Sequence, residues 1–193
     1  MRSLHLEKKG IRGLAIAESF KPHSNTSILS GIVMRQDFII DGFVFGHTTL
    51  EGNDATDIIL KMYEDLRRSD INYVLISGLI ISMYNIINIE KLFHSLKIPI
   101  ISITYNDSLG IEDTLKHHFP NSFESKINAC QKLGKRKKIT LRTSHDVFIT
   151  KEGCTLSDVK HLLDEITLQG AVPEPIRVSQ LLAKKILESE SSF

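Results

Sequence analysis

Residues 72–79, "NYVLISGL", decide the fold. From Tyr73 to Ile76 the run is apolar without alternation. A strand with one wet face alternates, whereas an unbroken run is buried on both faces, as in a sheet covered by helices. Before it lies "EGNDATDIILKMYEDLRRSD" (51–70). There Ile58, Ile59, Met62 and Leu66 fall at helical spacing, charges occupy the other face, and Asp54 stands where it can cap the helix. After it come a short helix around 88–96 and a second buried strand, "IPIISITY" (98–105). Strands of this kind joined through helices form βαβ crossovers.

Working outward, residues 11–18 read as another buried strand. "SILSGIVMR" (27–35) and "FIIDGFVFGHT" (38–48) read as a hairpin joined at Gln36-Asp37. Residues 108–133 read as one or two helices broken at "HHFP". Residues 134–144 start basic and become strand-like, and "DVFIT" (146–150) is a short strand. "TLSDVKHLLDEITLQ" (155–169) is an amphipathic helix capped by Thr155 or Ser157 and stopped by Gly170. A last helix opens with Pro175 in its first turn. The order β-β-β-α-β-α-β, then helices and a small strand pair, predicts an α/β mixed sheet with helices on both faces. No repeat or low-complexity linker divides the chain, so residues 1–193 are expected to form a single domain.

With 41% hydrophobic and 24% charged residues in 193, the composition is that of an ordinary globular domain. A formal net charge of +1 supplies no global basic field, so nucleic acid would have to be met by a local patch. Cys130 and Cys154 have no metal-ligand spacing and are too few for a disulfide scaffold, which fits a reducing, cytoplasmic setting. The opening "MRSLHLEKKG" lacks the apolar core of a signal peptide, and no run approaches the roughly 20 apolar residues of a membrane span.

The acids and strand ends carry the candidate chemistry. Glu18, closing "GLAIAESF" (13–20), reads either as a strand-end acid reaching water or as an oxygen ligand for Mg²⁺. Asp41 sits inside a strand, facing solvent or a polar cleft. Glu51 and Asp54 precede the first helix, and Asp57 complements its dipole. Ser77-Gly78 ends the central strand, at the carboxyl edge where open α/β sheets bind ligands. Within "LIISMYNIIN", Asn85 is either a structural turn residue or a ligand contact. Lys135, Arg136, Lys137 and Lys138, with Arg142, form the strongest basic cluster, either a phosphate patch or a solvated face. Adjacent His117 and His118 point in different directions on a helix and read as surface residues. Gly-rich phosphate loops, G-x-S-x-G and H-E-x-x-H are absent.

"GLAIAESF", "IVMRQDFIIDGFVFGHTTLEGNDAT", "LISGLIISMYNIIN" and "GAVPEPIRVSQLLA" together resemble the archaeal domain of unknown function 99 family (uncharacterised protein family 0215), a distant relative of endonuclease V. The resemblance covers essentially the whole chain. It implies a ribonuclease H-like, endonuclease V-like fold and DNA or RNA as partner. It also implies phosphodiester cleavage near deaminated bases with Mg²⁺ (or Mn²⁺) held by strand-end acids. Carried onto this chain, it places Glu18, Glu51 and Asp54 as metal and catalytic candidates, with Ser77 and Asn85 beside them. Lys135, Arg136, Lys137, Lys138, Arg142 and Arg177 would meet nucleic acid. The chain departs from endonuclease V at three points. Ala17 or Glu18 stands at the first acid, Ser77 stands where an Asp ends the fourth strand, and Glu152 stands where a His precedes the penultimate helix. The implied site is a degenerate one, and a non-catalytic nucleic-acid-binding or protein-interaction module is the alternative.

Overall fold

A computed structural model describes residues 10–22, 24–106, 116–117, 119 and 123–190. The chain opens with β1 (Arg12–Ser19), β2 (Thr26–Arg35) and β3 (Ile40–Thr49), followed by α1 (Ala55–Asp65) and β4 (Ile71–Ser77). A small hairpin, β5 (Ile80–Ile81) and β6 (Asn85–Ile86), precedes α2 (Ile89–Leu96) and β7 (Ile100–Thr104). The remainder is α3 (Phe123–Lys132), β8 (Lys137–Thr140), β9 (Asp146–Glu152), α4 (Leu156–Ile166) and α5 (Glu174–Glu190).

Seven strands form one sheet in the order β3-β2-β1-β4-β7-β9-β8. The β1–β2–β3 meander is antiparallel, β1–β4 and β4–β7 are parallel, and β9 returns antiparallel to β7. This is the mixed sheet expected from the strand order. Alternate residues of the central strands feed two cores. Leu14, Ile16, Val74 and Ile76 pack with Ile59 and Met62 of α1 and Leu92 of α2. Ala15, Tyr73, Leu75 and Ile101 pack on the opposite face with Val159, Leu162 and Leu163 of α4 and Ile176 of α5. Each such aliphatic side chain, fully buried, contributes about 1.5–3 kcal/mol.

Local chemistry explains where the observed elements depart from the expected ones. The link between β2 and β3 takes residues 36–39, with Phe38 at positive φ (67°), so β3 starts two residues late. The apolar stretch after Gly78 is neither loop nor helix but the β5–β6 hairpin. Thr155 caps α4 in a reciprocal box with Asp158, but the helix ends at Ile166. The β-branched Thr167 leaves helical geometry (φ −106°, ψ 104°), and Gly170 (φ 64°) serves the turn beyond it. His118 lies outside the described residues. No helix among those described is long and apolar enough to cross a membrane.

α5 is seated on β2 by two fully buried serines. Ser30 Oγ donates to the Ser179 carbonyl (2.6 Å) and Ser179 Oγ to the Ser30 carbonyl (2.9 Å). The small side chains let helix and sheet approach closely, and the seating brings Gln180 over the end of β4.

Candidate functional site

The carboxyl ends of β1 and β4, the end of β3 and the β5–β6 hairpin meet at one edge of the molecule. At its centre is a tight turn of three non-glycine residues, Ser82, Met83 and Tyr84, with φ of 47°, 56° and 72°. Left-handed geometry costs an L-residue roughly 1–2 kcal/mol, so three in succession persist only where their surroundings hold them.

Glu18 holds the turn from the sheet side. Both its carboxylate oxygens accept from Ser82 N (3.0 and 2.9 Å). Oε2 also accepts from Ser82 Oγ (2.7 Å) and Ser27 Oγ (3.0 Å). Ser82 Oγ contacts Thr48 Oγ1 at 2.9 Å, and Ser27, Thr48 and Ser82 are all buried. Lys126 of α3 holds the other side. Its buried ammonium donates to the carbonyls of Tyr84 (2.9 Å), Glu51 (3.1 Å) and Gly52 (3.2 Å) and lies 4.7 Å from the centre of the Phe119 ring. Burial lowers its pKa, against the pull of Glu51. The Glu51 N–H completes the brace by donating to the Ser82 carbonyl (2.8 Å).

Asp54 occupies the N-cap position of α1 but does not cap it. Its carboxylate turns back to accept from Thr49 N (3.2 and 3.1 Å), Thr49 Oγ1 (2.8 Å) and Asn85 Nδ2 (2.6 Å). Burial opposes ionisation, yet these donors outweigh it and hold the Asp54 pKa below the usual 3.8. The capping task passes to Asn85, fully buried, whose Oδ1 accepts from Ala55 N (3.1 Å). Asn85 and Asp54 thus come together, whereas Glu51 meets the Glu18 brace only through its backbone N–H on Ser82.

Glu51 differs from the other two acids. It is exposed, and among the described residues no hydrogen bond ends on its carboxylate. It stands at the rim of a cleft of about 880 Å³ lined also by Phe20, Lys21, Asn25, Leu50 and Met83. Ser77 lies in a separate crevice of about 380 Å³ with Gly78, Tyr105 and Arg136. There Ser77 Oγ accepts from Gln180 Nε2 (3.3 Å). The Tyr105 hydroxyl faces it short of full hydrogen-bond geometry, its pKa raised by burial and only partly relieved by Ser77. Ser77, Gln180 and Tyr105 at the end of β4 are thus neutral groups, and the charge that borders them is the cation Arg136.

The basic candidates separate by partner. Arg177 is forked onto Glu174, one arm at 2.8 Å and the other shorter, and this raises the Arg177 pKa and lowers that of Glu174. Lys138 pairs with Asp146 (2.7 Å), and Arg142 reaches Glu165 at 3.9 Å. Lys135 and Lys137 are exposed, and Arg136 borders the Ser77 crevice. Asp41, the acid inside a strand, is paired with Arg12 (2.5 Å).

The sequence reading missed Ser27, Thr48, Ser82 and Lys126. A serine interrupting "LIISMYNIIN" was the available signal for Ser82. Nothing local marked Lys126, because its partners are carbonyls far along the chain.

A cation site needs converging ligands. Among the described residues no three of His, Cys, Asp or Glu come together to hold one. The oxygens of Glu18 and Asp54 are occupied by protein donors, whereas the Glu51 carboxylate, within the field of Lys126, accepts no hydrogen bond among the described residues.

The family described as endonuclease dU matches residues 9–187. The UPF0215 protein of Pyrobaculum calidifontis is 30% identical over 176 residues, covering 91% of this chain and 96% of that protein. A crystal structure of an Archaeoglobus fulgidus protein of unknown function superposes with a TM-score of 0.76 at 24% identity, covering 92% of this chain and 98% of the other. Ciona intestinalis endonuclease V, in complex with a DNA containing an inosine, superposes with a TM-score of 0.64 at 12% identity, covering 97% and 89%.

Proposed function

The chain belongs to the endonuclease dU family, and from that premise we propose that it is an endonuclease acting on DNA that carries deoxyuridine. The match over residues 9–187 is the observation that carries this reading, on a fold shared with an endonuclease V seen on inosine-containing DNA. We assign the reaction to the cleft at the end of β3. Phe20 offers a face for an unstacked base and Lys21 a charge for a phosphate. In hydrolysis, water adds to phosphorus, the bond from phosphorus to the leaving sugar oxygen breaks, and that oxygen takes up a proton. Glu51 is the group we assign to take the proton from water. Mg²⁺ sites commonly use one or two carboxylates completed by substrate phosphates. Where Mg²⁺ or Mn²⁺ takes part, Glu51 would hold it in place of acting as the base, with substrate phosphates and water completing the shell, and the ion would neutralise charge on the phosphate.

The test is a nicking assay on oligonucleotides with one deoxyuridine, one inosine or neither, as DNA and RNA, with Mg²⁺, Mn²⁺ or a chelator. Cleavage confined to the deaminated strands and lost in Glu51→Gln, with an unchanged thermal melt, supports the assignment. Absence of cleavage, or a Glu51→Gln protein that cuts like wild type, ends it. The neutral Ser77 cluster favours one second reading, a nucleic-acid-binding module without catalysis. Salt-dependent binding without cleavage, weakened when Lys135, Arg136, Lys137 and Lys138 are neutralised, is its signature.

A further inference from the structure

β3 is an edge strand of the sheet, and its open side is covered at both ends but not in the middle. Its pairing with β2 runs in unbroken antiparallel register from Thr26↔Thr49 to Val33↔Gly42, and Leu50 N bonds to the Asn25 carbonyl at 3.0 Å. Hydrogen-bonded and non-hydrogen-bonded pairs alternate along such a ladder. Gly42, Val44, Gly46 and Thr48 therefore turn their backbone groups toward β2, while Phe43, Phe45, His47 and Thr49 turn theirs to the open edge. The protein itself satisfies the ends. Asp54 accepts from Thr49 N, Asn85 donates to the Thr49 carbonyl (3.0 Å), and Arg68 Nη1 donates to the Asp41 carbonyl (2.7 Å). Among the described residues no hydrogen bond reaches the outward groups of Phe43, Phe45 or His47.

The uncovered stretch carries none of the usual protection. The bulge of the strand and its one acid lie together at Asp41, at the covered end, and from Gly42 to Gly46 there is no charged residue, no Pro and no bulge to keep the edge from pairing. Phe43 is 52% and Phe45 45% exposed, and Ile39 and Ile40 are also exposed. The stretch is a palindrome about Val44: Gly42-Phe43-Val44-Phe45-Gly46. Self-pairing across a two-fold axis needs a surface that is its own complement.

We propose that β3 pairs antiparallel with β3 of a second copy of this chain, about a two-fold axis through Val44. In that register Phe43 lies opposite the partner's Phe45, and each such pair exchanges both its backbone hydrogen bonds. The four rings lie on one face as cross-strand aromatic pairs. Val44 meets its own mate in a non-hydrogen-bonded pair, where Cα atoms approach to about 4.5 Å, within the range that a disulfide bridges. Phe43 has no such mate, because its opposite number is Phe45.

Sedimentation of the wild-type chain at micromolar concentration is expected to show a dimer, and Phe43→Lys/Phe45→Lys a folded monomer. In a Cys130→Ser background, Val44→Cys is expected to cross-link on mild oxidation and Phe43→Cys to stay uncross-linked. A wild-type monomer at every concentration overturns the proposal. So does a dimer that survives the double lysine variant, or one in which Phe43→Cys links as readily as Val44→Cys.

Discussion

Glu18 Oε2 accepts from Ser82 Oγ at 2.7 Å across 64 residues of sequence, and Ser27 Oγ donates to the same oxygen. The strand-end acid thus anchors the left-handed turn. The two readings of the residue make opposite predictions about stability. An acid that waits for a cation is a liability without one, whereas an anchor is missed. Removing it leaves the buried Ser82 N–H without an acceptor, a loss of about 1–3 kcal/mol. Glu18→Ala is therefore expected to lower the unfolding free energy from urea titration by that amount, and Glu18→Gln, which keeps one acceptor oxygen, by less. A double-mutant cycle with Ser82→Ala should give a coupling of about 0.5–3 kcal/mol. A stabilised Glu18→Ala protein would contradict the anchor.

The turn itself makes the second prediction. Met83 has φ of 56° and is 40% exposed, so its backbone strain is set against only partial packing of its side chain. Met83→Gly removes a penalty of roughly 1–2 kcal/mol, offset by the greater freedom of glycine in the unfolded chain. Stability is expected to hold or to rise by up to about 1 kcal/mol. Met83→Val, β-branched in the same geometry, is expected to fall by more than about 1 kcal/mol. Equal losses in the two variants would show that packing, not φ, governs the position.

Asp54 gives a pH dependence of definite sign. Its folded-state pKa lies below the ordinary 3.8 because Asn85 and Thr49 donors outweigh burial. The unfolded chain thus binds the proton more readily than the folded one. The contribution of this group is fully present above 3.8 and is lost as pH falls through the lower folded-state value. Asp54→Asn should flatten the acid limb of a stability–pH curve and cost most near neutrality. An acid limb identical to that of wild type would place the titration elsewhere.

How far the sequence could be read follows from the range of the forces involved. "NYVLISGL" and the helix before it announced the βαβ core, because burial on both faces leaves a local, unalternating signature. The last helix was marked by Pro175 for the same reason, since a fixed φ acts on its own turn. The brace around Ser82 was not legible. Its partners come from β1, β2, β3 and α3, and each is tied to it by hydrogen bonds that follow no periodicity in the sequence. Asp54 looked like a cap because caps are recognised by position, yet the cap came from Asn85, 30 residues away.

The packing of Gly13 yields a sharp prediction from one atom. A Cβ built there would lie 2.2 Å from the Tyr73 ring, and Tyr73 is 1% exposed between β4 and the helices below. The ring cannot swing away in a close-packed interior without displacing Leu75 or Ile101 neighbours. Gly13→Ala is expected to lose about 1–3 kcal/mol, the cost of overpacking a filled core. Tyr73→Phe in the same background should recover little of it, because the ring carbons at 2.2 and 2.3 Å remain once the hydroxyl at 2.5 Å is removed.

Partnered and unpartnered cations should separate in nucleic-acid binding. Arg177 is committed to Glu174 and Lys138 to Asp146, so neutralising either releases few counterions from a bound phosphate chain. Lys135 and Lys137 are exposed, and Arg136 borders the Ser77 crevice. Each phosphate engaged adds about 0.9 to the slope of log affinity against log salt on duplex DNA, and about 0.7 on single strands. Neutralising Lys135, Arg136 and Lys137 together is expected to lower that slope by up to about two to three, at roughly one for each cation that meets a phosphate. Arg177→Ala is expected to leave it within error. Titrations over a range of salt decide the matter, and a slope that falls as much with Arg177→Ala as with the triple variant would refute the ranking by partner.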